Sequence, residues 1–418
     1  MVSPLVVTLG CRLNTLESEI MRTQGSAACL DDTIIVNTCA VTAEAERQGR
    51  QTIRRLRREH PTKRIIVTGC AAQLKPEEFA AMDEVDRVVG NAEKMDSALL
   101  ADLSGPAIAV SDIMNGADDF DVPMISGFEE RTRAFVQVQQ GCDHRCTFCI
   151  IPFARGRNRS VQPSRIIEQV RTLVANGHRE VVLTGVDVSS YGQDDPDLPA
   201  LGGLARQILD QVRGLKRLRL TSLDPACIDD DILALLSGDP RFMPHLHLSL
   251  QACDDMILKR MKRRHSRAQA IDLVERVRAV RPDTVFGADL IAGFPTETPS
   301  MFENTLSAVS EMGLTYLHVF PYSKRPGTAA SKMPPLDGGL IKQRAARLRQ
   351  AGDEALKRYL QTCMGQTIEV LVEQGKTGHT CHFAPVELTS TPPAGVLVNA
   401  VVIALDTEKG RLIADVAT

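Results

Sequence analysis

Three cysteines in the run Gly141-Cys142-Asp143-His144-Arg145-Cys146-Thr147-Phe148-Cys149, separated by three and then two residues, constrain this chain more than any other feature. A run of this spacing brings three thiols to one centre, as ligands of a single metal group. Three thiolates leave one iron of a 4Fe-4S cube without a protein ligand, and an open iron can bind a small molecule directly where a four-cysteine cluster passes electrons. S-adenosylmethionine chelates such an iron through its amino and carboxylate groups. The competing assignment is a zinc knuckle, which needs a fourth Cys or His at comparable spacing. None follows Cys149 closely, and His144, lying between two of the cysteines, is badly placed to complete a tetrahedron with them.

The chain has 11 cysteines, and three more of them fall in matching places. Strands are predicted over Leu5 to Leu9, Thr33 to Asn37 and Arg64 to Thr68, with a strong helix from Ala43 to Arg58. That alternation is an α/β pattern and predicts an open parallel sheet, flavodoxin-like, over residues 1–105. Cys11, Cys39 and Cys70 each stand just past the carboxyl end of one of these strands. Strand carboxyl ends form the ligand crevice of such sheets, so three thiols remote in sequence converge there as a second cluster site. The alternative is that each is a small buried hydrophobe. Repetition at equivalent positions, with Gly10 and Gly69 before two of them to permit close backbone approach, favours ligands. Cys29, Cys227, Cys253, Cys363 and Cys381 lack that regularity and read as buried thiols.

A length of 418 residues suits two or three domains, and 43% apolar with 24% charged residues is the balance of a soluble globular protein. No apolar run approaches the roughly 20 residues of a membrane span, and the start of the chain lacks the basic and apolar pattern of a signal peptide. The expected setting is cytoplasmic, with no membrane partner, where thiols stay reduced and serve as ligands or core residues. A net charge of −3 carries no global sign of nucleic-acid binding. Residues 106–131 read as a linker, rich in turns at Gly105-Pro106, Asn115-Gly116-Ala117-Asp118-Asp119 and Asp121-Val122-Pro123.

Residues 132–361 repeat strand then helix six times. Strands are predicted over Ala134 to Gln140, Glu180 to Gly185, Arg217 to Ser222, His245 to Gln251, Thr284 to Ile291 and Tyr316 to Tyr322. Helices begin near Pro163, Leu201, Asp229, Asp254 with Ser266, and Pro299. Six units without the two more that close a full barrel predict a partial (βα)6 barrel. Its chemistry belongs at the strand carboxyl ends, where the Cys142 to Cys149 loop leaves strand one. Turns on the same rim supply cofactor-binding candidates: Gly185, Asp187 and Ser189, then Gln251, then Gly293 and Glu297. Glycine admits close backbone approach, and the two carboxylates could accept from a hydroxyl or an ammonium; a helix cap or turn is the plain alternative for each. Residues 362–418 show short alternating segments, Thr367 to Glu373, Val386 to Ser390, Val396 to Ala404 and Arg411 to Val416, which predict a small antiparallel β-barrel or sandwich.

Together these residues resemble the radical-SAM methylthiotransferases over nearly the whole chain. The resemblance is carried by Thr8-Leu9-Gly10-Cys11-Arg12-Leu13-Asn14 with Glu17-Ser18, by Asn37-Thr38-Cys39 and by Gly69-Cys70-Ala71-Ala72-Gln73. It continues through the cluster loop into Ile151-Pro152-Phe153-Ala154-Arg155-Gly156-Arg157, and through Ala288-Asp289-Leu290-Ile291-Ala292-Gly293-Phe294-Pro295-Thr296-Glu297-Thr298. It implies an auxiliary 4Fe-4S cluster on Cys11, Cys39 and Cys70, a radical-SAM cluster on Cys142, Cys146 and Cys149, S-adenosylmethionine as cosubstrate, and a C-terminal TRAM-like domain that engages RNA. Members of the family act on isopentenyladenosine in tRNA, on threonylcarbamoyladenosine in tRNA, or on an aspartate of a ribosomal protein. The stretches Leu317-His318-Val319-Phe320-Pro321-Tyr322-Ser323, Thr221-Ser222-Leu223-Asp224-Pro225 and His247-Leu248-Ser249-Leu250-Gln251 are most similar to those of the threonylcarbamoyladenosine enzymes.

The implied activity is methylthiolation of carbon 2 of that base at tRNA position 37. The implied partners are the tRNA anticodon stem-loop, an electron donor such as flavodoxin or ferredoxin, and a sulfur donor. Phosphate-contact candidates are Arg47, Arg50, Arg54, Arg55, Arg57 and Arg58, then Arg155, Arg157 and Arg159, then Lys259 to Arg264. One departure from the family is Ala252-Cys253-Asp254 after Gln251, where Ser-Gly-Ser is common. The non-enzyme alternative is an iron-sulfur module for RNA binding or electron transfer.

Overall fold

The computed structural model describes residues 3–102, 104–115, 121–129 and 131–417. Gly116-Ala117-Asp118-Asp119 of the expected linker lie outside the described residues. The first sheet is built from β1 (Leu5–Thr8), β2 (Thr33–Thr38), β3 (Arg64–Gly69), β4 (Arg87–Val89) and β5 (Ile108–Ala109), in that spatial order and all parallel. The helices are α1 (Arg12–Ala27), α2 (Ala43–Glu59), α3 (Cys70–Leu74), α4 (Pro76–Ala80) and α5 (Ser97–Ala101). Strands β2 and β3 read as apolar runs because helices cover both faces. Ile34, Val36, Ile65 and Val67 pack with Ile53 and Leu56 of α2, while Ile35 and Ile66 pack with Met21 of α1 and with Leu100. Strand β5 corrects the linker expectation: Ile108–Ala109 pairs with β4, so the sheet outlasts the Gly105-Pro106 turn. Two residues carry too little pattern to reveal a strand.

The second unit holds β6 (Arg133–Gln137), a hairpin of β7 (Gln139–Gln140) and β8 (Arg159–Ser160) around α6 (Ile151–Arg155), then α7 (Pro163–Ala175), β9 (Glu180–Thr184), α8 (Leu201–Gln211), β10 (Arg217–Arg219) and α9 (Asp230–Gly238). It continues with β11 (His245–Gln251), α10 (Asp255–Met261), α11 (Arg267–Val280), β12 (Val285–Ala292), α12 (Pro299–Glu311) and β13 (Leu314–Pro321). Three-stranded sheets β10-β9-β6 and β11-β12-β13 are joined by parallel bridges Leu218–Phe242 and Leu223–Leu248. The result is six parallel strands in an open partial barrel, as expected. Leu16 and Ile20 of α1 belong to the same core as Phe135 and Val136 of β6, so the first unit is docked on the barrel's first strand.

A helix absent from the sequence reading, α13 (Gly338–Thr362), runs beside β13; Gly352 lies so close that a Cβ there would stand 3.1 Å from Leu317 Cβ. The chain ends in a closed barrel of β14 (Thr367–Val372), β15 (Thr377–Thr380), β16 (Pro385–Leu388), β17 (Leu397–Asp406) and β18 (Arg411–Val416), ordered β14-β15-β16-β18-β17. Strand β15, Thr-Gly-His-Thr, carries no apolar alternation and went unread. This small barrel docks on the strand-start end of the larger one. Arg217 pairs with Glu369 at 2.9 Å, Arg133 with Glu373 at 2.6 Å, and His245 stacks on Phe383 with centroids 5.1 Å apart. No described helix is long and apolar enough to cross a membrane.

Candidate active site

Cys11 caps α1, Cys39 follows β2 and Cys70 opens α3, so the fold draws three loops to one sheet edge. Gly10, at φ +103°, allows the approach: a Cβ there would fall 2.8 Å from Cys39 Cβ and 2.9 Å from its Sγ. Asn14 ties two of the loops together, its Nδ2 donating to Leu9 O at 2.7 Å and Thr38 O at 3.0 Å. Asn37 Nδ2 in turn donates to Asn14 O at 3.0 Å and Ser18 Oγ at 3.2 Å. Cys39 and Cys70 are buried and Cys11 is exposed.

The second set stands on the rim of the partial barrel, between β7 and α6. Cys142 N donates to Gly156 O at 3.0 Å, Thr147 N to Met261 O at 3.1 Å, and Thr147 Oγ1 to Arg260 O at 2.8 Å, which fixes the loop at its start and between its second and third cysteines. Asp187 reaches it from the turn after β9. Its carboxylate accepts from Ser190 Oγ at 2.7 Å, lies 3.0 Å from His144 Nε2 and faces the Cys142 thiol at 3.6 Å. Burial opposes its charge, yet the His144 and Ser190 hydrogen bonds hold Asp187 below the usual carboxylate range. Arg263 Nη1 lies 3.6 Å from Cys146 Sγ. Burial pushes the thiols up, Cys39 to about 11 and Cys149 to about 12. Thiols so placed call for a cationic metal group before they ionise.

Sulfur spacing separates the two metal assignments. A zinc ion about 2.3 Å from each sulfur draws its thiolates to about 4 Å of one another. Among the described residues, the trio of His, Cys, Asp or Glu ligand atoms lying within 4.8 Å of one another is His247, Asp289 and His318, not either cysteine set. Thiols held further apart suit one iron each on a cube, and all six remain free of disulfides.

Arg155 links the two sets. It lies in α6, past Cys149, yet its Nε donates to Cys70 Sγ at 3.1 Å, its Nη2 donates to Asn14 Oδ1 at 2.6 Å, and it pairs with Glu17. Glu17 also holds Lys94 at 2.5 Å, and Lys94 donates to Asn91 Oδ1 at 2.7 Å. Asn91 Nδ2 closes the joint on Ala154 O at 2.7 Å. Arg155, Glu17 and Lys94 are all fully enclosed. Burial brings Lys94 down to about 8, while Arg155 and Lys94 overcome burial and keep Glu17 low. This corrects the phosphate-contact reading of Arg155, whose charge faces inward. Arg263 is half-buried, but its side chain, 8% exposed, pairs with Asp224 at 3.1 Å and is likewise turned from the surface.

A cleft of about 280 Å³ opens between the units, lined by Thr42 at the start of α2, Cys149, Gln251, Asp289, Phe320 and Tyr322. Gln251, at φ +67° beside a register shift in β11, turns into it. Of the six cofactor-binding candidates, Asp187 and Gln251 are thus brought to the cluster loop. The other four are occupied in holding turns. Gly185 abuts Gln139, whose Oε1 accepts from Val186 N and Asp187 N; Ser189 Oγ accepts from Asp224 N at 2.8 Å. Glu297 accepts from Gly293 N at 3.0 Å and pairs with buried Arg344 of α13 at 2.7 Å. That carboxylate is committed to α13, a correction to its reading as an acceptor for a bound ammonium. Cys253 is buried with its N–H on Thr305 Oγ1, in the barrel core. Cys363 is buried as expected, Cys29 is exposed, and Cys227 and Cys381 are half-buried. The reading missed His247, Asp289 and His318 as a group; the signal was three polar residues at inward positions of successive strands.

Comparison with known proteins places this geometry. Residues 136–309 match the Radical SAM superfamily, and residues 4–90 match the Uncharacterized protein family UPF0004. The chain is 47% identical over 401 residues, 96% of its length and 95% of the relative's, to the threonylcarbamoyladenosine tRNA methylthiotransferase MtaB of Rickettsia prowazekii. It is 35% identical over 382 residues, 88% of its length and 84% of the relative's, to the protein of that name from Bacillus subtilis. Identity to a tRNA-2-methylthio-N(6)-dimethylallyladenosine synthase of Cereibacter sphaeroides is 34% over 383 residues, 88% of this chain and 87% of that one. Among solved structures, the radical S-adenosylmethionine methyltransferase TsrM of Kitasatospora setae shares the fold at TM-score 0.57 and 16% identity, over 78% of this chain and 74% of that one.

Proposed function

The chain belongs to the radical-SAM methylthiotransferases, enzymes of tRNA methylthiolation that use two 4Fe-4S clusters and S-adenosylmethionine, and from that premise we propose that its substrate is N6-threonylcarbamoyladenosine at tRNA position 37, modified at carbon 2. In this reading Cys142, Cys146 and Cys149 hold the radical-SAM cluster and Cys11, Cys39 and Cys70 the auxiliary one. Bound together, the clusters and S-adenosylmethionine supply a reductively generated carbon radical and a methylthio group. What the chain supplies is enclosure and position. Thr42 and Tyr322 bound the cleft from two units, and Ala43 N, donating to Ser323 Oγ at 3.0 Å, ties the two walls together. Asp187 orients the cluster loop through His144, and Gln251 offers the cleft a side-chain amide. Water is kept from the joint by the enclosed Arg155–Glu17–Lys94 network.

The observation that carries the reading is the cleft itself, where Cys149 of one set and the Thr42 turn just past Cys39 of the other share one wall. Exposed Arg54, Arg55 and Arg58 on α2, which starts at that cleft, suit tRNA phosphates, with the C-terminal barrel as a second RNA-contacting unit. We divide the chain into a sheet domain through β5, a radical-SAM core through α13 and a TRAM-like barrel. A flavodoxin or ferredoxin would deliver electrons and a separate donor would restore sulfur, in a cytoplasmic setting. Nucleoside mass spectrometry of total tRNA from a strain lacking the protein tests the reading. Loss of methylthio-threonylcarbamoyladenosine with accumulation of its precursor is expected; an unchanged tRNA profile would redirect the search to a ribosomal protein.

A further inference from the structure

Between the start of β12 and the small barrel lies a cavity of about 500 Å³, at the end of the core opposite the cluster loop. Asp283 and Thr284 line it from the turn before β12, Cys363 from the end of α13, and Cys381 and His382 from the turn after β15. Three of these groups form a line. Cys381 Sγ lies 3.1 Å from His382 Nδ1, and His382 Nε2 lies 2.9 Å from Asp283 Oδ2. The other carboxylate oxygen of Asp283 accepts from Arg281 Nε at 3.2 Å. An ionised Asp283 makes Nε2 the donor, so Nδ1 of the neutral ring faces the thiol with its lone pair, ready to take the proton of a nucleophile. The backbone beneath is held independently of that line. Arg217 Nη1 donates to His379 O at 3.2 Å, Arg219 Nη2 to Cys381 O at 3.1 Å and Tyr316 Oη to His382 O at 3.1 Å, so the thiol stands on a turn pinned at three carbonyls.

Two plainer roles fit less well. A metal site is excluded by the line itself, because thiol and carboxylate sit on opposite ring nitrogens and cannot meet at one ion; among the described residues the group that does converge is His247, Asp289 and His318. A packing thiol looks like Cys363 on the same wall, which is buried and donates to Tyr359 O of α13 at 3.6 Å. Cys381 is half-buried instead and has an acid–base partner. Burial opposes its ionisation, but the His382 hydrogen bond and the charges of His382, Arg217 and Arg219 lower the thiol from its ordinary value. A separate observation points to an occupant. Thr284, 4% exposed, lines the cavity with a hydroxyl that has no hydrogen-bond partner among the described residues. A buried hydroxyl left unpaired costs stability that a polar ligand would restore.

We propose that Cys381 is a thiol-exchange site, at which a low-molecular-weight disulfide with a polar arm enters the cavity and leaves one half of itself bound to the Cys381 sulfur, between the two barrels. His382 takes the Cys381 proton and the thiolate attacks one sulfur of the disulfide. The new S–S bond forms as the old one breaks, and the departing sulfur takes the proton from His382 and leaves as a thiol; one disulfide is consumed, one mixed disulfide is formed, and there is no net oxidation. Acyl transfer would also need paired donors around an oxyanion, whereas exchange needs only a thiolate and an acid for the leaving sulfur. The polar arm gives Thr284 Oγ1 its partner. The adduct stands beside Glu369, the residue that Arg217 holds across the joint.

The test treats the anaerobic holoenzyme at neutral pH with glutathione disulfide and follows each cysteine by peptide mass spectrometry, with exposed Cys29 as the internal reference. Cys381 should take up the glutathionyl group at least about tenfold faster than Cys29. His382→Gln should lower the Cys381 rate about tenfold and Asp283→Asn about threefold, with the Cys29 rate and the iron content unchanged. Asp283→Asn, at the more exposed position, carries the test if His382→Gln fails to fold. Thr284→Val should lower the rate about threefold with glutathione disulfide but not with methyl methanethiosulfonate, whose transferred group has no polar arm. A Cys381 no faster than Cys29, or one that keeps its full rate in the His382 and Asp283 variants, would overturn the exchange site. Equal losses with both reagents in Thr284→Val would overturn the cavity as the place where the disulfide is held.

Discussion

Cys142, Cys146 and Cys149 arrive in one short run, all half-buried and fixed mainly by backbone hydrogen bonds, whereas Cys11, Cys39 and Cys70 come from three loops of a sheet and are pinned by Asn14, Asn37 and Arg155. The first site is local and would survive modest shifts of the fold around it. The second exists only when the sheet is formed and docked, because Arg155 belongs to the other unit and reaches across to Cys70. A site made by the fold inherits the fold's stability; a site made by a loop inherits the loop's.

The largest expected effect separates the two directly. Cys142→Ala and Cys11→Ala should each abolish methylthiolated product. Cys142→Ala should also end 5′-deoxyadenosine formation, whereas Cys11→Ala should keep it as unproductive turnover. Quantifying both products in the same reactions checks this, and an active Cys11→Ala enzyme would dissolve the two-site comparison.

Arg155→Met sharpens it next. The substitution leaves Glu17 enclosed with Lys94 alone and removes the N–H donor to Cys70, so the joint should lose about 3 kcal/mol, the order expected for breaking a buried pair. The auxiliary cluster should also shift to lower potential, since hydrogen bonds to ligand sulfurs raise it. Redox titration followed by electron paramagnetic resonance resolves the two clusters; equal shifts in both, or none, would show that Arg155 serves docking only. Asn14→Ala is the milder relative: with Leu9 O and Thr38 O left without their donor, about 1–2 kcal/mol should be lost, read as faster release of auxiliary-cluster iron to a chelator.

The same contrast explains what the sequence made legible. A run of three cysteines announces itself by spacing, and strand ends revealed the dispersed set because the strands around it are strongly apolar. The three-unit architecture followed from periodicity, apart from β5 and β15, which are too short or too polar to show one, and α13, whose partly charged sequence hid a face packed on β13. Side-chain direction was not legible. Arg155 and Arg263 look in sequence like the exposed arginines of α2, and only the docked fold shows them turned inward. Glu297 looked free because its partner, Arg344, lies on the helix that went unread. His247, Asp289 and His318 are scattered along the chain and become one group only through the register of three strands.

A joint that belongs to neither cluster measures how far such coupling extends. Glu373 of the small barrel accepts from Arg133 at 2.6 Å and lies 3.1 Å from His379 Nδ1. Burial opposes its charge, but His379 and Arg133 together lower it from 4.5 to about 2. A carboxyl depressed in the folded state stabilises docking above its unfolded pKa and loses that contribution as pH falls from about 5 toward about 2. Glu373→Gln should therefore weaken docking at neutral pH by about 1 kcal/mol, given its partial exposure, and have no effect near the acid limit. Hydrogen exchange of β14 and β15 amides across that range reads the difference. If exchange at Cys70 and Arg155 stays constant while β14 opens, the barrel is coupled to the strand-start end alone, and the fold-made cluster site depends only on the joint that Arg155 closes.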